Sequence, residues 1–196
     1  MHHFYAYLSR LKLIRRWSLM RNTQPENDAE HSLQAAFIAH GLALLARDRY
    51  GRDVNPEHVL SLAVYHDASE VLTGDLPTPV KYHSEELRSA YHRVEELASK
   101  RLLGMLPESL RPSYAPYLSA REDDEAWAIV KAADKLCAYV KCLEEQRAGN
   151  HEFDAAREKI LSSLESGPLP EVQDFLREFV PSFALTLDEL NGGKDA

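Results

Sequence analysis

His66 and Asp67 stand side by side near the end of an apolar segment. Glu70 follows one helical turn later, and Asp75 lies in the Gly/Pro-rich continuation (YHDASEVLTGDLPTPVKY, residues 65–82). On one helix, His66, Asp67 and Glu70 would project into a narrow arc. His31 heads the stripe Ala35, Ile38, Leu42 and Leu45, and Asp134 falls between Val130 and Cys137 on another apolar face. A carboxylate placed there costs roughly several kcal/mol unless it is paired or holds a metal. Each residue alone has an ordinary explanation as a cap or a satisfied core group. Four of them in the stripes of three segments do not. Lys131, Lys135 and Lys141 border Asp134 and are the cations nearest to these stripes. Two histidines and two carboxylates suit a borderline or hard divalent ion such as Mn²⁺, Co²⁺, Fe²⁺ or Zn²⁺, with positions open for water and substrate. Cys137 reads as a buried, inert thiol. His40 is half a turn out of phase with His31, and His2, His3, His58, His83, His92 and His151 are expected to be solvated.

Helices must position these groups. Apolar periodicity predicts them over residues 4–18, 28–48, 56–72, 84–106, 121–148, 151–165 and 168–179, with a Pro-bounded turn or helix at 107–118. The 28–48 segment is acidic at its start and basic near its end, as the helix dipole favours, and Pro56 opens the next. Gly74, Pro77 and Pro79 mark a loop, and the tail from residue 191 is expected to fray. No alternating β-branched run is present, so the expected class is all-α, one domain over residues 1–190.

The chain has 196 residues, 44% of them hydrophobic and 28% charged, with a formal net charge of −8. That charge argues against wrapping nucleic acid, whose phosphates need compensating cations. Arg10, Lys12, Arg15, Arg16 and then Arg21 form a local exception. They are either a solvated helix face or a small anion site. No membrane span, signal peptide or disulfide framework is expected, which makes the cytoplasm the natural compartment.

The order His31 … His66-Asp67 … Asp134 on helices resembles the HD-domain metal-dependent phosphohydrolases. The stretches LSRLKLIRRWSLMRN, AEHSLQAA, YHDASEVLTGDLPTPVKY, ADKLCAYVKCLEE and FVPSFALTLDEL sharpen the resemblance to the bacterial HD-domain 5′-deoxynucleotidases, from about residue 4 to about 190. This implies an HD-type helical bundle that hydrolyses 2′-deoxyribonucleoside 5′-monophosphates to deoxynucleoside and inorganic phosphate. It implies one divalent ion on His31, His66, Asp67 and Asp134, with Co²⁺ or Mn²⁺ first and Zn²⁺, Fe²⁺ or Cu²⁺ as alternatives. Arg16 and Trp17 would contact phosphate and sugar. Glu70 would be the catalytic carboxylate, with Asp75 as the other candidate proton acceptor. Asp75, Leu76, Pro77 and Thr78 would line the nucleotide pocket, and Asp67 and Asp134 would also face substrate. A cytoplasmic homodimer is implied too. Residues 22–30 and 120–127 depart from the pattern and carry no named chemistry. Rival readings are an alarmone or nucleoside-triphosphate hydrolase, which would ask for more cations than Arg15, Arg16, Lys81 and Arg21, and a non-catalytic nucleotide-binding scaffold. A cyclic-dinucleotide phosphodiesterase would need a Gly-Tyr-Pro element that the chain lacks.

Overall fold

Asn27 caps a 23-residue helix, its side chain accepting from the amides of Ala29 and Glu30. In the computed structural model, which describes residues 1–81, 83–119 and 125–192, the chain order is as follows. Helices α1 (Phe4–Leu8), α2 (Asp28–Tyr50), α3 (Pro56–Tyr65), α4 (Glu70–Thr73) and α5 (Thr78–Lys81) come first. Then follow α6 (Glu85–Gly104), α7 (Arg111–Leu118), α8 (Glu125–Arg147), α9 (Asp154–Glu165), α10 (Pro170–Glu178) and α11 (Leu187–Leu190). Short 3₁₀ turns cover Leu11–Leu13, His151–Phe153 and Val180–Ala184. Among the described residues no strand forms beyond an isolated antiparallel bridge between Arg15 and Asn27. The all-α expectation holds. Residues 121–124, the start of one predicted helix, and the end of the tail, 193–196, lie outside the described residues.

The main core forms where α2 packs on α3 and α8. Ala35, Ala36, Ala39, Ala43 and Ala46 are buried along α2, and their small side chains let Val59, Leu62, Ile129, Val130, Ala133 and Leu136 come close. Helix α2 stops at Gly51, whose φ of +64° suits glycine, with the amide of Arg52 returning to the Ala46 carbonyl. A second cluster, Phe4, Ala68, Leu102, Leu106 and Leu118, fastens α1 and the turn after α3 to α6 and α7. The segment carrying His66 and Asp67 runs between the two clusters.

Two predicted helices are shorter than their periodicity suggests. The 4–18 helix ends at Leu8, and Ile14 is already extended. Residues 14–16 pair instead with the approach to α2: the Arg16 amide donates to the Glu26 carbonyl at 3.1 Å and the Asp28 amide to the Ile14 carbonyl at 3.2 Å. Trp17 has φ +56°, which no right-handed helix accommodates. Phe4 and Leu11 are buried as the periodicity requires, but by tertiary packing and not by one helix.

The 56–72 helix likewise breaks after Tyr65. Residues 66–69 wind in a tighter turn, with amides of Ala68, Glu70 and Leu72 donating to carbonyls of Tyr65, Asp67 and Ser69 at 2.9–3.0 Å. Adjacent side chains on a regular helix do not face each other. Here they meet: Asp67 Oδ2 lies 3.0 Å from His66 Nε2. The predicted loop at 74–79 is partly helical too, because Pro79 is tolerated in the first turn of α5. His58 is half-buried, its ring 5.7 Å from that of Tyr117, because the start of α3 lies against α7. His40 is also half-buried, whereas His2, His3, His83, His92 and His151 are exposed as expected.

The bend after Trp17 is anchored on α8. Buried Glu145 accepts from the amides of Thr23 and Gln24, from the Thr23 hydroxyl and from Asn150, and pairs with Lys141, which also donates to the Gln24 carbonyl. Burial pushes the Glu145 carboxyl upward, but Lys141 and the donors from Thr23 and Asn150 outweigh it and bring it down to about 2. Glu145→Gln leaves Lys141 without its counter-charge, and the expected loss is about 3–5 kcal/mol. Thermal unfolding checks this, with Tm expected to fall by on the order of 10 °C. A depressed folded-state pKa gives stability that is present above the ordinary carboxylate value. The wild-type advantage over the variant should therefore shrink as pH falls from about 4.5 toward 2.

Candidate active site

Three elements bring imidazoles and carboxylates to one point. His31 comes from the first turn of α2, His66 and Asp67 from the turn after α3, and Asp134 from the middle of α8. His31 Nε2 lies 3.1 Å from Asp134 Oδ1 and 3.5 Å from Asp67 Oδ2. Ligand atoms of His31, His66 and Asp134 all fall within 4.8 Å of one another, the one such grouping found among the described residues. Both imidazoles are fully buried, whereas the Asp134 side chain is 26% exposed, so the cluster opens toward solvent on the α8 side.

The rings are held in a ligating orientation. His66 Nδ1 lies 2.7 Å from the Ala63 carbonyl, to which its N–H donates, and its Nε2 faces Asp67. His31 turns Nδ1 toward Glu26 Oε1 at 3.4 Å and Nε2 toward the two aspartates. His31 Nε2 and His66 Nε2, the ring nitrogens that face the aspartates, are buried without a hydrogen-bond partner. Buried, unpartnered imidazole nitrogens facing carboxylates fit a divalent cation.

Acidic groups crowd the rest of the site. Glu26, Asp28, Asp67, Glu70, Asp75 and Asp134 surround Arg16, whose Nη1 donates to Asp67 Oδ2 at 3.4 Å while Nη2 lies 3.9 Å from Asp134 Oδ1. Arg16 answers the sequence question about the basic cluster: it turns inward, while Arg10, Lys12, Arg15 and Arg21 stay exposed. Burial opposes the charged form of Asp67 and Asp134, but His66 and His31 for the first, and Lys131 and His31 for the second, hold both carboxyls below the ordinary range. Burial also opposes charge on His31, yet Asp134 and Glu26 push it up to about 9. Two other carboxyls move the opposite way. Burial, with Asp67 next, pushes Asp28 up to about 7, and burial with Asp67, Asp28 and Asp75 pushes Glu70 up to about 11, both against Arg16. Asp28 Oδ1 and Oδ2 and Glu70 Oε2 are buried, and a hydrogen bond from the Glu70 carboxyl offsets only part of the rise at Asp28. Such a site is short of positive charge.

Asp75 lies at the rim, its carboxyl raised by burial against the pull of Arg16. Gly74 (φ +74°) lets the chain turn there, and the Tyr91 hydroxyl donates to its carbonyl at 3.1 Å. Leu76 and Pro77 are half-buried and Thr78 is exposed; among the described residues none of the three hydrogen-bonds to the metal-site cluster. Trp17 sits beside the cluster, its Nε1 donating to Glu26 Oε2 at 3.1 Å and its ring 5.3 Å from that of Phe153. Glu26 and Asp28 belong to the 22–30 stretch, which was expected to carry no chemistry but supplies two carboxylates beside Arg16 and His31. Asp28 was within reach of sequence reasoning, since it precedes His31 by three residues and so shares its helix face. Glu26 was not, because only the pairing of residues 14–16 with the approach to α2 brings it inward. Cys137 is buried, and burial followed by Asp134 raises its thiol, as an inert core thiol requires.

The family model of YfbR-like 5′-deoxynucleotidases matches residues 3–183. The chain belongs to this family. A 5′-deoxynucleotidase of Vibrio parahaemolyticus is 52% identical, covering 96% of this chain and 98% of that protein. One of Erwinia tasmaniensis is 53% identical, with 96% of each covered. Among solved structures, an HD-domain phosphohydrolase of Listeria innocua superposes with a TM-score of 0.80 at 27% identity, covering 96% of this chain and 92% of that one. A cyanophage S-2L HD phosphohydrolase, described as bound to dA and one catalytic Zn²⁺ ion, superposes with a TM-score of 0.62 at 25% identity, covering 91% and 95%. The bundle is thus the HD-domain fold, and the chain is a 5′-deoxynucleotidase, an enzyme that hydrolyses phosphate monoesters. Among the described residues no helix is long and apolar enough to cross a membrane.

Proposed function

We propose that this 5′-deoxynucleotidase binds one divalent ion on His31, His66, Asp67 and Asp134 and divides the remaining work among Arg16, Trp17, Glu70 and Asp75. The observation that carries this reading is the convergence of His31, His66 and Asp134 ligand atoms within 4.8 Å beneath a buried arginine. An ion held there would act as a Lewis acid toward a phosphoryl oxygen and make water a better nucleophile.

The chain's own residues bind, orient and move the proton. The planar fork of Arg16 grips two phosphate oxygens, which fixes the phosphate better than a point charge would. Glu70 takes the proton of the attacking water. The crowding that keeps a proton on Glu70 in the metal-free protein also makes its carboxylate strongly basic, and a divalent ion on the four ligands would favour its ionised form. Asp75 closes the rim with Leu76, Pro77 and Thr78 along the nucleotide. The Trp17 indole is an apolar wall at the sugar C2′ that offers a ribose hydroxyl no partner.

The mixed set of two imidazoles and two carboxylates suits Co²⁺ or Mn²⁺, with Zn²⁺, Fe²⁺ or Cu²⁺ able to substitute. The protein works in the cytoplasm as a single-domain homodimer. Exposed Leu33 and Phe37 on α2, and Leu87, Val94 and Leu97 on α6, supply apolar surface for a second copy.

The test is phosphate release from dAMP, dGMP, dCMP and dTMP against their ribo counterparts, with Co²⁺ or Mn²⁺ and with chelator. An apolar wall rejects one added hydroxyl by up to about 10² in kcat/KM, and deoxy substrates should lead by about that factor. Equal rates on both sugars would overturn the sugar assignment, and a preference for triphosphates would overturn the substrate class. Arg16→Ala should slow dAMP and AMP alike, since both carry the same phosphate. Trp17→Ala should narrow the gap between them, mainly by improving AMP. Circular dichroism must show the variant folded, and full deoxy preference in that folded protein would contradict the role given to Trp17.

A further inference from the structure

Glu26 touches one residue from each functional group of the site. Its Oε2 accepts from Trp17 Nε1 at 3.1 Å. Its Oε1 lies 3.3 Å from Arg16 Nε and 3.4 Å from His31 Nδ1. Its carbonyl accepts from the Arg16 amide at 3.1 Å. Glu26 is largely buried, with its side chain 14% exposed. Burial pushes its carboxyl upward, but His31, Arg16 and Trp17 outweigh that and keep it ionised.

This placement has a backbone cost. Trp17 adopts φ +56°, a left-handed conformation that bulky side chains avoid, at about 1–3 kcal/mol. Such a conformation persists where its surroundings over-determine it. Asn22 Nδ2 donates to the Trp17 carbonyl at 3.2 Å, Phe153 packs on the ring, and Glu26 fixes the indole N–H. Of these three, the Glu26 contact sets the rotation of the ring plane, because it is directional.

We infer that Glu26 is a positioning residue that couples sugar selection to metal affinity: one carboxylate fixes the Trp17 indole with one oxygen and orients the His31 ligand and the Arg16 fork with the other. This rests on the roles proposed above for Trp17, Arg16 and His31. A carboxylate behind the far nitrogen of a ligating histidine fixes its tautomer and raises its basicity, and losing such a partner weakens metal binding about 10–100-fold. Glutamine has the same shape but cannot do both jobs. Whichever way its amide turns, the NH₂ group faces an N–H donor, either the indole of Trp17 or Arg16 and His31.

The experiment uses the full chain with three single variants, one double variant and two readouts. Metal affinity is measured without substrate, by competing Co²⁺ or Mn²⁺ between the protein and a chromogenic chelator. Sugar selection is the ratio of kcat/KM for dAMP to that for AMP. Glu26→Gln and Glu26→Ala should each weaken metal binding about 10-fold or more and lower the deoxy-to-ribo ratio. Trp17→Phe keeps the ring but removes the N–H, so it should lower the ratio while leaving metal affinity at the wild-type value. Combining Trp17→Phe with Glu26→Ala should lower the ratio no further than Glu26→Ala alone, since both changes break one contact. A merely structural Glu26 would cost Tm but leave the metal Kd and the ratio of the folded fraction unchanged, and that result overturns the proposal. So would a Trp17→Phe protein with the full wild-type ratio. A wild-type enzyme with no deoxy preference would instead sink the sugar assignment, leaving the metal arm to report on Glu26 by itself.

Discussion

Asp134→Ala is expected to lose its metal and its turnover together, while remaining folded. Asp134 projects from the middle of α8 between buried Val130, Ala133 and Cys137, and its Oδ1 is the carboxylate oxygen closest to His31 Nε2, at 3.1 Å. Removing it deletes one ligand and one negative charge from a site that depends on both. The helix tolerates the change, since alanine is the best helix former. The metal-free fold gives up the pairing of Asp134 with His31 and Lys131, so Tm should fall while the helix stays formed. The purified variant should contain less than one ion per chain, hydrolyse dAMP no faster than chelated wild-type protein, and give wild-type circular dichroism. Wild-type turnover in a variant shown to lack the ion would remove Asp134 and the ion from the reaction.

Glu70→Gln should separate chemistry from binding. It preserves shape at a buried position that opens α4, and it changes none of the four proposed ligands. Bound metal should stay at the wild-type level, and kcat should fall by roughly 10²–10⁴, the range for losing a general base. Near wild-type turnover with full metal would move the proton acceptor to Asp75. The metal-free protein offers a second reading of the same group. Glu70 is pushed from 4.5 up to about 11 by burial and by Asp67, Asp28 and Asp75, so the folded state keeps a proton that the unfolded chain releases above 4.5. A raised acid makes stability fall as pH rises through that interval. Glutamine does not titrate, so metal-free Glu70→Gln should melt at a higher temperature than metal-free wild type at neutral pH. The difference should shrink toward pH 4.5.

The long helices were legible because their apolar periodicity extends over several turns. The 28–48 and 84–106 predictions lie within two residues of α2 and α6 at every boundary. Residues 9–27 were not legible. Their apolar residues sit at helical spacing, but the pairing of Arg15 with Asn27 and of Arg16 with Glu26 is non-local and leaves no mark on either segment alone. The turn at 66–69 failed for a related reason: at one-turn resolution a tight turn and a helix share the same pattern, and only the meeting of His66 with Asp67 distinguishes them. A further helix, α11, carries a signal that could have been used, since Thr186 and Glu189 form a capping box. For the site, His66, Asp67, Glu70, Asp75 and Asp134 gather around Arg16 and His31, whereas Leu76, Pro77 and Thr78 make no hydrogen bond to that cluster among the described residues. The two that escaped, Glu26 and Asp28, are acids whose meaning depends on where the chain doubles back.

The most direct measurement is the return of metal to stripped protein. Wild-type chain is dialysed against chelator, and Co²⁺ or Mn²⁺ is added back stepwise while phosphate release from dAMP is followed. Turnover is expected to be absent at the start, to rise in proportion to added ion, and to level off at one ion per chain. Full turnover by the stripped protein, or no turnover after one equivalent is bound, would contradict the account at its centre.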